Sequence, residues 1–416
     1  MPVSDTANRK STSRQSEIEP SDVKGMKYFR ELKPLLKRLH GVGTQRDQAN
    51  NRSLHMDEYC TLIMIWLFSP VVDSLRGLQQ ASELDIVCRK FGVGRSSLGS
   101  LSESATLFDP EPLAAIAQEL SHRLPGPQAS KFDSMGQTIT AVDGSVINTV
   151  GHVARLAWLP KSGAQSQSAV RLHTHFEVLR GIPSRIDVTG AKPKGADDER
   201  AVLERTIQPD HLYLIDRGYA KFTLWNRIVE ADSSYVCRVL DNSKYEVVES
   251  RPLSSEASDE GILSDEIVCL GTNRGSKSKP DHAVRLITVR ATRHIRRGRS
   301  MQTSTGPACD GVLRVATCRL DIPAELISQL YRHRWMIQLF FRMFKQLLGC
   351  RHLLSTKKNG VVIQACCAII ACMLILIHTG RTPTKRTFEM ICFYLSGWAS
   401  LDELERHIGR LQPPAA

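Results

Sequence analysis

The sequence predicts a mixed α/β protein with an all-helical first third, and three features of the 416-residue chain point to it. Apolar residues recur at three and four spacing from Lys27 to about Leu124, as in helices that bury one face. After Pro125-Gly126-Pro127 several short runs alternate or turn uniformly apolar, as strands do. Past residue 321 the helical pattern returns and closes the chain.

Taken in order, residues 1–24 read as a flexible tail, polar and Ser-rich, with no apolar segment of the kind a secretory signal needs. Residues 25–130 form a helical region in which LHMDEYCTLIMIWLFSP and SLRGLQQASELDIVCRKF carry helical spacing, with breaks at Pro70 and Gly92 to Gly94. Asp109 is expected as an N-cap with Pro110 at the first helical position, and Arg76, Arg89, Lys90 and Arg95 are available to a nucleic-acid backbone. In residues 131–240, Thr138 to Val142 reads as a strand ending at Asp143-Gly144. Ala169 to Leu179 and the IDVT segment form a hairpin through Gly181-Ile182-Pro183, and Leu212 to Ile215 is a short strand ended by Asp216-Arg217-Gly218-Tyr219. Residues 241–321 are β-rich, with strands at Tyr245 to Val248, Glu266 to Leu270, Ala283 to Arg290 and Val312 to Arg319 between basic loops. Residues 322–384 hold a long helix, and residues 385–416 a last helical region.

Composition narrows the function classes. At 42% hydrophobic and 24% charged the chain is ordinary globular protein, which excludes disordered and fibrous classes. A net charge of +12 and a pI near 9.2 favour a polyanionic partner, nucleic acid before an anionic membrane surface. The longest apolar run, Ala365 to Ile377, is about 13 residues, short of the roughly 20 that span a bilayer, and reads as a buried core helix. Eleven cysteines without a CxxC pair argue against a disulfide framework or a zinc site.

The stretch YRHRWMIQLFFRMFK sets Tyr331, Arg334, Gln338 and Lys345 at offsets that fall within an arc of roughly 60° on one α-helix. One polar stripe on an otherwise apolar helix faces something anionic. Asp143 and Asp216 each follow an apolar strand, where α/β sheets place ligand and metal sites, and two converging carboxylates would suit Mg²⁺. Alternatively, each Asp is simply part of a turn.

In order, AVDGS around Asp143, YLIDRGYAKFTLWNRI around Asp216 and the Tyr331 to Lys345 segment resemble the DDE transposases of the insertion-sequence-four family. The third segment of that family runs Tyr, two residues, Arg, three residues, Glu, six residues, Lys. The segment AVRLHTHFEVLRGIPSRIDVT is also similar, and the resemblance covers roughly residues 55 to 380. It implies a ribonuclease-H-like catalytic core interrupted by a β-rich insertion, and DNA cleavage and strand transfer with Mg²⁺, or Mn²⁺, as cofactor. The implied partners are double-stranded DNA, as transposon ends and target, and a second copy in the DNA complex, with no membrane. The implied location is the bacterial cytoplasm, on the nucleoid when DNA is bound. On this resemblance Asp143 and Asp216 hold the metal, while Tyr331, Arg334 and Lys345 contact DNA phosphate.

Gln338 stands where the family has its third carboxylate, and the nearest acids in sequence, Glu325 and Glu389, lie off the stripe. An amide can offer a carbonyl oxygen but removes a negative charge, so an impaired relative that only binds DNA ends is the alternative reading. A host nuclease of the same fold is a third. Elsewhere, Arg293, Arg296, Arg297 and Arg299 form the densest basic cluster and are candidates for the DNA backbone. Asp197, Asp198 and Glu199 read as a solvated helix start, His173 and His175 as a cross-strand polar face, and His333 as a packing or phosphate-contact residue.

Overall fold

In the computed structural model the described residues are 27–42, 52–69, 71–123, 131–148, 169–190, 195–239, 243–271, 278–290, 311–349, 354–355, 357–379, 385–395 and 398–411. The expected tail at 1–24 and the arginine cluster at 293–299 lie outside them.

The first third folds as helices α1 (Lys27–Lys37), α2 (Met56–Phe68), α3 (Leu75–Ser82), α4 (Asp85–Phe91), α5 (Leu98–Leu107) and α6 (Glu111–Arg123). Serine caps start two of them: the Ser74 hydroxyl accepts from the Gly77 amide and that of Ser97 from the Ser100 amide. The run SLRGLQQASELDIVCRKF, expected as one helical segment, breaks at Glu83-Leu84, where Leu84 turns extended to begin α4. The Ser82 hydroxyl explains the stop, since it accepts the Ser96 amide and donates back to the Gln79 carbonyl. Helix α6 begins at Glu111, one residue later than expected, with Asp109 accepting the Glu111 amide.

The strands are β1 (Thr138–Asn148), β2 (Ala169–Glu177), β3 (Ile182–Gly190), β4 (His211–Ile215), β5 (Ser234–Arg238), β6 (Tyr245–Ser250), β7 (Ile262–Leu270), β8 (Val284–Arg290) and β9 (Val312–Thr317). They form one sheet in the order β3-β2-β1-β4-β5-β9-β8-β7-β6. β1, β2 and β3 are antiparallel, β1, β4 and β5 are parallel, and β9 joins β5 antiparallel to carry the sheet on through β8, β7 and β6. The hairpin expected at Gly181 is present, with that glycine at φ +66°, a conformation that costs other residues. The β-rich residues after 241 therefore extend the central sheet rather than packing as a second layer.

Helices α7 (Glu199–Thr206) and α8 (Phe222–Glu230) cover one face of the sheet around Trp225 and Tyr235, whose rings stack at 4.7 Å, while α9 (Ser255–Asp259) lies against β7. The other face lies under α10 (Ala324–Arg332), α11 (Trp335–Gly349) and α12 (Lys358–Thr379), followed by α13 (Lys385–Leu395) and α14 (Leu401–Gly409). Helix α12 is longer than its apolar run suggested. Residues Lys358–Ile377 are long and apolar enough to cross a membrane, yet most of that stretch is buried inside the protein. It is the central core helix, packed on α2, α5 and α6.

Candidate active site

The parallel register of β1 and β4 places the two aspartates together. Its last pair is Ala141 with Leu214, so two residues further along each strand lie Asp143 and Asp216. β1 runs on to Asn148 against β2, which puts Asp143 inside a strand rather than at its end as expected. It is the parallel neighbour that stops, opening the edge onto which Asp143 faces. Asp143 is 8% exposed and accepts the Gly144 amide at 2.8 Å. Asp216 is half-buried and caps the short turn Arg217–Tyr219 by accepting the Gly218 amide at 2.7 Å. The turn chemistry and the site chemistry thus share one side chain.

Facing them is the segment expected as one continuous helix, and here the structure differs. Amides of His333, Arg334 and Met336 bond to carbonyls three residues back, at 3.0, 3.1 and 2.9 Å, so the chain tightens between α10 and α11 and resets its phase. Tyr331 belongs to the last turn of α10 and is 7% exposed, while Arg334 sits in the break. Across the break, Arg334 and Gln338 both reach Asp143. The Arg334 guanidinium lies 3.8 Å from Oδ2 of Asp143 and over the rings of Tyr331, at 5.9 Å, and Trp335, at 5.8 Å. The Gln338 amide nitrogen donates to the same Oδ2. Lys345 is in α11, and its side chain lies outside the described residues.

Burial pushes the Asp143 carboxyl up to about 6; Arg334 opposes this, Asp216 adds to it, and the Gly144 and Gln338 hydrogen bonds lower it. A buried carboxylate left short of positive charge, beside a second one, suits a hard divalent cation. Among the described residues no set of three Asp, Glu, His or Cys side chains converges on such an ion. Two carboxylates still fit a Mg²⁺ ion, which commonly completes its shell with water and phosphate oxygens. The Gln338 carbonyl oxygen, brought in by turning the amide, is the third donor available. The Nε of Arg334 is buried without an acceptor among the described residues, as a donor awaiting an anionic oxygen would be.

Two neighbours were missed by sequence reasoning. Asp198 caps α7 as a helix start should, but Glu199 is half-buried: it pairs with Arg171 and fills the space beside Gly144, where a Cβ would lie 2.5 Å from its Oε1. Glycine after Asp143 was the only signal. Tyr219 is buried, close to Asp143 and Asp216, and its hydroxyl has no partner among the described residues. Of the two histidines expected as a cross-strand polar face, His173 meets the Thr189 hydroxyl on β3 at 2.7 Å, whereas His175 meets the Thr206 hydroxyl of helix α7 at 3.1 Å; both are buried, and His333 packs edge-on to Phe132.

With this geometry in place, comparison with known proteins is decisive at one point. A family model described as Transposase DDE domain matches residues 134–374, more than half of the chain. The chain belongs to this family. It is 27% identical over 209 residues to the putative transposase y4zB of Sinorhizobium fredii (strain NBRC 101917 / NGR234), 50% of this chain and 53% of that one. It is also 27% identical over 271 residues to the probable transposase for insertion sequence element IS5377 of Geobacillus stearothermophilus, covering 64% of each. The chain thus spans between half and two thirds of the length of these relatives. Among solved structures, the piggyBac transposase synaptic complex with hairpin DNA is similar over 92% of this chain and 84% of that one, with TM-score 0.41 and 10% identity. Asp143, Asp216 and Gln338 lie within the matched range.

Proposed function

We propose that this protein is a DNA transposase of the insertion-sequence-four type, which binds the terminal inverted repeats of a mobile element and cleaves and rejoins DNA at a site built on Asp143 and Asp216. The observation that carries the reading is the convergence of those carboxylates with Arg334 and Gln338 on neighbouring elements of a transposase-family domain. The strand order β3-β2-β1-β4-β5, with the first three antiparallel and the rest parallel, supports a ribonuclease-H-like core.

In the proposed reaction a water oxygen attacks the phosphorus at the element's end. The bond to the 3′ oxygen breaks, leaving a 5′ phosphate and a 3′ hydroxyl; that hydroxyl later attacks a target phosphorus, and the target's own P–O3′ bond breaks to release a target 3′ hydroxyl. Asp143 and Asp216 would hold the divalent cation, Mg²⁺ or Mn²⁺, which when bound acidifies the attacking water and shields the leaving oxygen. Arg334, lying over two rings with an Nε that has no acceptor among the described residues, binds a non-bridging phosphate oxygen. The Tyr331 ring lies against the Arg334 guanidinium. Lys345, and the arginines at 293, 296, 297 and 299, extend the phosphate track, and two copies acting together would bring the two ends into one complex.

Gln338 supports the further reading that this copy is slow. Its amide donates to Asp143, so the bond must break before Asp143 can turn that oxygen to a cation, and among the described residues no third carboxylate joins Asp143 and Asp216. Cleavage of end-bearing DNA in Mg²⁺ by wild type, Gln338→Glu and Asp143→Asn tests both points. Gln338→Glu should exceed wild type by at least about tenfold, a barrier change of roughly 1.4 kcal/mol, and Asp143→Asn should be inactive. Equal rates for wild type and Gln338→Glu would remove the impairment, and cleavage by Asp143→Asn would remove the site.

A further inference from the structure

Besides continuing the sheet through β9, the β6 to β8 segment packs against α10 and holds that element at both ends. At its start, the turn 319–322 has three of its carbonyls taken by arginines from this segment. Arg251 donates to the Leu320 carbonyl at 2.8 Å, and Arg285 donates to those of Arg319 and Ile322. Arg285 is 2% exposed and is itself fixed by Asp265, 5% exposed, through two bonds of 2.7 Å each. Arg319 in the turn reaches the other way, donating to the Met135 carbonyl and to Gln137 just before β1. At the far end of α10, Glu260 takes Arg332 at 2.7 Å and Gln329 at 3.2 Å. One residue past Arg332 the chain enters the break that carries Arg334.

A buried bidentate ion pair is a weak source of stability, because desolvating two charges offsets most of their attraction. What it does provide is direction: the planar guanidinium can satisfy Asp265 and the Ile322 carbonyl together only in one orientation. We infer that Arg285 is a positioning residue for the site, holding through the 319–322 turn the helix that sets Arg334 and Gln338 against Asp143. The β6–β8 segment then serves as a splint for α10. The effect on chemistry rests on the transposase reading above, while the effect on helix position does not.

The test replaces the pair by apolar side chains in the double variant Arg285→Met/Asp265→Leu, which leaves no buried charge unpaired. A second variant, Glu260→Ala, releases the far end of α10 at a half-buried position and covers the case in which the double variant does not fold. Amide hydrogen exchange is measured on the whole protein. In both variants α10 and the first turn of α11 should exchange at least roughly tenfold faster than in wild type while β1 and β4 keep their protection. Unchanged exchange in α10, or acceleration spread evenly over the sheet, overturns the inference. On end-bearing DNA the turnover rate should fall by roughly 100-fold, as misplacement near 1 Å does, with DNA affinity held within about threefold. A fall in affinity with turnover intact would overturn the role in positioning. Absence of cleavage by both wild type and Gln338→Glu would instead count against the transposase reading, and exchange alone would decide Arg285.

Discussion

Asp143 is a residue whose place in the candidate site opposes folding. Its carboxyl is raised from 3.8 to about 6 by burial and by Asp216, so between those values the folded protein holds a proton that the unfolded chain has released. Stability from this group is therefore complete below pH 3.8 and is lost as pH rises through about 6, at a cost of up to about 3 kcal/mol in the metal-free protein. His175, buried and lowered to about 3, acts in the opposite sense, losing stability as pH falls below its unfolded value of 6.5. Subtracting variant from wild type isolates Asp143. In chelator, Asp143→Asn should be more stable than wild type at pH 7 and close to it at pH 4, read from urea unfolding at the two pH values; equal differences at both would contradict the assignment. At this scale Asp143, Asp216 and Gln338 were legible because each sits in a run whose spacing survives in sequence. Glu199 and Tyr219 were not, since their approach to the site comes from α7 and the Asp216 turn folding across β1.

Among the elements, the hairpin at Gly181 and the strands after 241 could be read from turn residues and alternation, which are local signals. The break at His333-Arg334 could not, because apolar positions on either side keep nearly helical spacing and only the hydrogen bonds change. Nor could the joining of β9 to β5, a pairing across some eighty residues. Helix α12 shows how tightly such long-range packing is set. A Cβ on Gly360 would lie 2.5 Å from Ser355 Oγ and 2.7 Å from Ala105 Cβ in α5. Gly360→Ala should therefore destabilise the protein by about 1 to 3 kcal/mol despite its better helix propensity, measured as a lowered denaturation midpoint. A stabilised variant would mean that the α5 and α12 contact yields easily.

For the whole molecule, the charge of +12 matters for what it binds rather than for how it folds. If DNA is the partner, affinity for end-bearing duplex should fall at least roughly tenfold between 50 and 200 mM salt as counterions are released, and filter binding across that range would show it. Salt-independent binding would contradict the electrostatic footprint. The site itself is reported most directly by Mn²⁺ binding, followed by electron paramagnetic resonance in wild type, Gln338→Glu and Asp143→Asn without DNA. Convergence of Asp143 and Asp216 around a cation, weakened by the amide at 338, requires weak binding in wild type, at least about tenfold tighter binding in Gln338→Glu, and none in Asp143→Asn. Equal Mn²⁺ affinity in all three proteins would contradict it.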